Sequence, residues 1–423
     1  MNEPPATPAS ASAGEGILSG ALPRFILRQP LLDGEFRILG HELSVNERAP
    51  LPVLPGATSA DRNRDDLLLA SVLDLDSTLE RKLTLLNLSP EGLDNPLLDG
   101  LPRERTVLAI RPVAHDGSLP ARAGELTRRG FALALDEAAL SPAWAPLARQ
   151  CQYLRMDVGD HDLAALADRL VRVEGIRGPR LIARNVETEE AYAACRKLSF
   201  QLYQGYYFTR SRPAAGGRID AGRLAIMDLL NLVLQRAELA VIEARLKADA
   251  ALAYRLLRYI NSPAVGLRYP VRSIGHALLM LGHDQLYRWL TLLLFTHGGQ
   301  DRRGEALLRN ALVRARMAES LGDGALGPEL RGGLFIAGIL SMLDSLLQLP
   351  MDRALDGLHL APPIVEALLR DGGPYAPWLA LAKACEGGDP VRPARLTEIL
   401  GLTPETVNRA HLQALAWAEG MDL

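Results

Sequence analysis

Six polar side chains stand at or just beyond short apolar runs in the first half of this chain: Glu42, Asn87, Asp136, Asp157, Glu187 and Gln204. Gathered in one place, carboxylates and a side-chain amide are hard oxygen donors. They are the kind that hold divalent cations able to polarise a phosphoryl group and activate water. Two arginines, Arg155 and Arg184, interrupt the set. A guanidinium stays protonated, and its positive charge opposes cation binding beside it. The other reading of the same residues is structural, with the acids and amides hydrogen-bonded to one another and neutralised by Arg155 or Arg184 as buried ion pairs.

The elements that must carry these side chains follow from the apolar pattern. Phe25-Ile26-Leu27, Lys82 to Leu86, Val107 to Ile110, Phe131 to Leu135, Tyr153 to Met156 and Arg180 to Ala183 are each strand-sized and followed by turn residues or a polar helical stretch. Strands alternating with helices predict a parallel sheet covered by helices, and this many repeats predict a barrel over residues 23–213. Barrel sites lie at the C-terminal ends of the strands, where these polar residues fall. After Arg212-Pro213-Ala214-Ala215-Gly216-Gly217 the pattern becomes helical, with Leu224, Met227, Leu230 and Leu234, then Leu252, Leu256, Leu257 and Ile260, at three- and four-residue spacing. A linker at 214–222 and an all-α domain at 223–415 are expected, with Asn261-Ser262-Pro263 as a helix stop.

The strand-end residues of the first half resemble the EAL family of cyclic-di-GMP phosphodiesterases. Residues 28–46, RQPLLDGEFRILGHELSVN, are similar to that family's Q-P-I…G-x-E-A-L-x-R opening, and LYQGYYFTRSRP at 202–213 to its Q-G-Y-x-F-S-x-P ending. The resemblance implies metal-ligand roles for Glu42 and Asn87 and a shortened EAL-type barrel. It also marks losses: Asn46 stands for the phosphate-binding arginine, Ala109 for a ligating glutamate, Arg155 for a catalytic-type lysine and Arg184 for the first glutamate of E-G-V-E. Asp136-Glu137-Ala138-Ala139 replaces the glycine-containing D-D-F-G-x-G loop. Tyr206, Tyr207 and Phe208 are expected in a buried closing strand.

Residues 238–296 resemble the HDOD family in the order and spacing of their N-S-P break, S-I-x-x-A-L helix start and Leu281-Gly282 helix end. In GLFIAGILSMLDSLL, residues 333–347, Ser341 and Met342 stand where the related HD phosphohydrolases carry their metal-binding His-Asp pair. A hydroxyl and a thioether cannot hold a hard cation as imidazole and carboxylate do, so a metal-free domain is expected. His283-Asp284 falls after a helix end and reads as capping or surface residues. Asp344 reads as a hydrogen-bonded core or interdomain residue. With Ala382 to Asp389, the resemblance to EAL–HDOD proteins covers nearly the whole chain after residue 23.

Composition bounds the remaining options. At 423 residues, 48% hydrophobic and 23% charged, the chain reads as about two well-folded domains. No apolar run approaches the roughly 20 residues that cross a bilayer, and residues 1–22 read as a disordered arm without signal-peptide character. Cys151, Cys195 and Cys385 lack C-x-x-C spacing, which fits a reducing cytoplasm. A formal charge of −3 provides no broad attraction to nucleic acid. The expectation is a cytoplasmic bacterial signalling adaptor that is not an enzyme, needs no cofactor and meets other signalling proteins through a surface near Asn261, Ser262, Pro263 and Tyr269. A cyclic-di-GMP receptor is the alternative, and a weak phosphodiesterase using Glu42, Asn87, Asp136, Asp157 and Glu187 the third.

Overall fold

The computed structural model describes residues 24–45, 60–74, 82–111, 117–137, 144–159, 163–174, 178–209, 219–262, 269–297, 302–322, 324–327, 330, 332–387 and 391–421. The N-terminal arm, Asn46, Ala138-Ala139, the Arg212 to Gly217 segment, Pro263 and Asp389 lie outside them.

Eight strands close a barrel in chain order: β1 (Ile26–Asp33), β2 (Ile38–Val45), β3 (Leu83–Leu88), β4 (Thr106–Ile110), β5 (Ala132–Asp136), β6 (Tyr153–Asp157), β7 (Arg180–Arg184) and β8 (Leu202–Gln204). From β2 through β8 neighbouring strands are parallel, as the strand and helix alternation predicts. β1 departs from that prediction, running antiparallel to both β2 and β8. The reason is local: only four residues separate β1 from β2, and a connection this short makes a hairpin, whereas a parallel pair needs a long crossover. The aromatic closing segment also differs, since β8 ends at Gln204 and Tyr207–Thr209 forms a 3₁₀ turn. There Tyr207 stacks on Tyr192, ring centroids 4.5 Å apart.

Strand alternation sorts the side chains. Leu85, Val107, Ala109, Ala134, Tyr153, Ile182 and Leu202 point into the barrel and fill it, while Leu86, Leu108, Leu133, Leu154 and Met156 point outward to the covering helices. Residues one step further along the inward set are Asn87, Asp136, Arg155, Arg184 and Gln204. The parity that packs an apolar plug therefore also lays a polar layer on top of it.

From Ala221 onward the regular elements among the described residues are helices. Helix Ala221–Leu234 buries Ile226, Met227, Leu229, Leu230 and Val233, whereas Leu224, expected on the apolar stripe, is exposed. Helix Ile274–Thr296 is broken at Gly282, whose φ of 65° and ψ of 177° only glycine adopts readily, so the helix end expected at Leu281-Gly282 is a kink between two helical halves. Helix Arg302–Gly322 packs between helices Gly333–Leu340 and Pro404–Glu419. None of the described helices is long and apolar enough to cross a membrane.

Barrel and helices are joined by buried polar contacts along β1 and β2. The Ile26 amide donates to Asn408 Oδ1 at 2.8 Å and the Arg28 amide to the Cys385 carbonyl at 3.2 Å. On β2, His41 Nε2 lies 2.9 Å from Glu419 Oε1, and Lys82, just before β3, places its Nζ 2.6 Å from Glu419 Oε2. His41 faces the helical domain while its neighbour Glu42 faces into the barrel. One strand thus carries both the interface and the site.

Candidate functional site

The polar layer is organised around Arg155, which has almost no solvent exposure. Its Nη1 lies 3.1 Å from Glu42 Oε1, its Nη2 donates to Asn87 Oδ1 at 3.2 Å, and its Nε sits 2.6 Å from Asp136 Oδ1. The last contact is an ion pair whose N–H is not aligned as a hydrogen bond. Asp136 and Arg155 are cross-strand partners on β5 and β6, which is why their side chains meet. Arg184, at the end of β7, completes the cluster 3.6 Å from Asp136 Oδ2 and 3.9 Å from Glu42 Oε1. Gln204 Nε2 donates to Glu42 Oε2 at 2.7 Å, and the Gln204 carbonyl accepts from the Val186 amide.

Burial alone would raise the pKa of Glu42, but Arg155, Arg184 and the bond from Gln204 together hold it below the ordinary glutamate value. The carboxylate is therefore ionised and spoken for on both oxygens. Asp157, at the end of β6, is exposed at the rim, accepting from the Gly159 amide at 3.0 Å and from Asn185 Nδ2 at 2.7 Å. Glu187 is half-buried beyond β7. So Glu42, Asn87, Asp136 and Gln204 come together on or beside Arg155, Asp157 stands at the rim, and Ala109 belongs to the apolar filling beneath.

The resemblance implies divalent cations at this place, and the residues present do not fit them. Oxygens of Glu42, Asn87 and Asp136 that would ligate a cation all converge on one guanidinium. Among the described residues no group of three or more His, Cys, Asp or Glu side chains is arranged to hold a metal ion. What the layer offers instead is fixed positive charge. Arg155 is sealed in, and Arg184, about a quarter exposed, faces the opening.

A similar guanidinium sits in the helical domain. Ser341 caps the end of helix Gly333–Leu340, and its hydroxyl accepts from Arg314 Nη1 at 2.6 Å. Arg314 binds Glu386 through two parallel bonds of 2.7 Å, and Asn310 joins Glu386 to Arg28 of β1. Burial opposes the charge on Glu386, but Arg314, its hydrogen bonds and Arg28 hold its pKa below the usual value. Met342 is buried in the core. Sequence reasoning missed Arg28, Asn310, Arg314 and Glu386. The available signal was an arginine at position 314 on a helix face otherwise made of Leu307, Ala311, Ala315 and Ala318, all buried.

Asp344 accepts from the Ser345 amide at 2.7 Å, and the Ser345 hydroxyl bonds the Thr209 carbonyl at the barrel's end. His283 Nε2 lies 3.2 Å from the Ala237 carbonyl, just past the Gly282 kink. At the 261 break, Asn261 contacts the Leu257 and Val271 carbonyls through Nδ2, each at 2.8 Å, and accepts from the Val271 amide at 2.7 Å. The helix stop is thus closed by the Asn261 side chain together with the backbone amides of Asn261 and Ser262. Tyr269 is 83% exposed.

Comparison with known proteins places these features. The HDOD domain family model matches residues 224–351. The chain is 26% identical over 404 residues to the cyclic di-GMP phosphodiesterase CdgJ of Vibrio cholerae, covering 94% of this chain and 93% of that one. It is 25% identical over 408 residues to the uncharacterized protein YuxH of Bacillus subtilis, covering 94% and 98%. Among solved structures, an EAL domain protein of Listeria monocytogenes matches at 16% identity, TM-score 0.35, over 44% of this chain and 87% of that one. The Bacillus subtilis YkuI protein, with an EAL domain and in complex with c-di-GMP and calcium, matches at 18% identity, TM-score 0.34, over 44% and 54%. The expectation that the chain is not an enzyme is overturned by its full-length relative, which is named as one. That expectation weighed the exchanged ligands one position at a time, whereas the likeness runs through both domains. The chain is thus an EAL-like eight-stranded barrel followed by a helical region that carries the HDOD match.

Proposed function

We propose that this chain acts in cyclic-di-GMP signalling as a phosphodiesterase of the kind its Vibrio relative is named for, with the cyclic dinucleotide taken at the mouth of the barrel. The observation that supports this most is the single polar layer at the strand ends, where Glu42, Asn87, Asp136 and Gln204 are kept and assembled under Arg184. Arg184, paired with Asp136 and Glu42, is also about a quarter exposed there. A guanidinium matches the non-bridging oxygens of a phosphodiester and stabilises charge that develops on them. The helical domain, docked on β1 and β2, passes the state of the mouth to another signalling protein through the surface that carries Tyr269.

The test is chromatographic. Purified full-length protein incubated with cyclic-di-GMP should yield the linear dinucleotide, and Glu42→Ala and Arg184→Glu should each abolish it. Intact cyclic dinucleotide after prolonged incubation, with and without added divalent cation, would remove the reading.

A further inference from the structure

A cavity of about 510 Å³ opens in the helical domain, away from the barrel mouth, lined in part by Arg288, Arg316, Glu319, Ser320, Gly332 and Leu334. Its volume is that of a site for a small organic molecule, larger than a single ion needs. Its charges are arranged before any ligand arrives. Glu319 stands between the two arginines, its Oε1 accepting from Arg288 Nη2 at 2.5 Å and its Oε2 from Arg316 Nη1 at 2.9 Å. Each guanidinium is also laid against an aromatic ring, Arg288 over Phe335 at 4.5 Å and Arg316 over Trp417 at 5.7 Å. Two cations held on one carboxylate leave a net positive charge among the described lining residues of this concave wall. A guanidinium carries five N–H donors, and Glu319 takes one from each.

The wall has one further source of positive potential. Helix Gly333–Leu340 begins at its edge, with Gly332 as a cap that has no side chain to accept from the first amides. Arg288 and Arg316 remain 31% and 43% exposed, so both forks are reachable from solvent. Planar forks fixed in orientation suit tetrahedral phosphate oxygens, which accept paired N–H bonds.

We infer that this cavity is a second ligand site, for a phosphorylated small molecule of nucleotide size, gripped by Arg288 and Arg316 with Glu319 as the brace that orients them. Calorimetric titration of the full chain with adenosine diphosphate and with inorganic pyrophosphate tests it. Both should bind once per chain, and Arg316→Gln and Arg288→Gln should each weaken binding by about tenfold or more, the loss expected for a charged hydrogen bond. Arg184→Gln at the barrel mouth should leave it unchanged, and quenching of Trp417 fluorescence should follow the same isotherm. Arg316, on the exposed side, is the variant that keeps its fold, and circular dichroism checks that it does. Absence of saturable binding at millimolar probe, indifference to Arg316→Gln, loss on Arg184→Gln, or equally tight binding of citrate would each overturn the inference.

Discussion

Replacing Arg155 by methionine tests the electrostatic account of the barrel mouth. The side chain is sealed from solvent and touches Glu42, Asn87 and Asp136 at 2.6 to 3.2 Å. Removing it leaves buried Glu42 and partly exposed Asp136 near one another, with the more distant Arg184 as the remaining cation among the described residues paired with both. Breaking a buried ion pair from one side costs roughly 3–5 kcal/mol. The same change vacates the point on which three oxygen donors converge, so Arg155→Met should bind magnesium or calcium more tightly than the parent does. Ligand linkage then returns about 2.7 kcal/mol when the cation stands at 100 times its dissociation constant. Urea denaturation of parent and variant, each with and without the cation, gives both quantities. The reasoning is refuted if the variant is as stable as the parent, or if the cation stabilises the two proteins equally.

Acid should loosen the docked domains. Burial lowers the pKa of His41 from 6.5 to about 4 and that of His411 to about 3. Glu419, facing His41, acts to raise its value, while Arg28 and Lys82 act to lower it. Because these folded values lie below the unfolded one, the histidines' contribution is intact above pH 6.5 and is lost as the pH falls toward the folded values. For His41 alone the loss is on the order of 3 kcal/mol, and urea midpoints that stay flat from pH 7 to 4.5 would contradict it. Tyr269→Ala should change stability by no more than about 0.5 kcal/mol while weakening capture of host signalling proteins; a large fall in melting temperature would return Tyr269 to a packing role. Gly282→Ala should cost roughly 1–3 kcal/mol through backbone conformation alone, since its positive φ with extended ψ is essentially restricted to glycine and an added Cβ meets no atom within 4 Å.

Much of the barrel was legible because its signals are local. Apolar runs mark β3 to β7, and parity along each run puts Asn87, Asp136 and Arg155 on the inner face. The ion-pair alternative for Arg155 and Arg184 was likewise open from residue types alone. What could not be read depends on docking. The hairpin that turns β1 against its neighbours reflects connection length, and the Arg28, Asn310, Glu386 and Arg314 chain joins residues 282, 76 and 72 positions apart. No periodicity carries such pairings, which form only when the helical domain closes on β1. The exposed side chain of Leu224 has a related cause, since spacing defines a stripe while neighbouring helices decide its width.

The central claim is that a cyclic dinucleotide is taken at the barrel mouth, and calorimetric titration of cyclic-di-GMP into the full-length chain tests it most directly. The account predicts one saturable site per chain, with Arg184→Glu weakening it by about tenfold or more through loss of a charged contact. Heats no greater than dilution, or binding that Arg184→Glu leaves untouched, would contradict it.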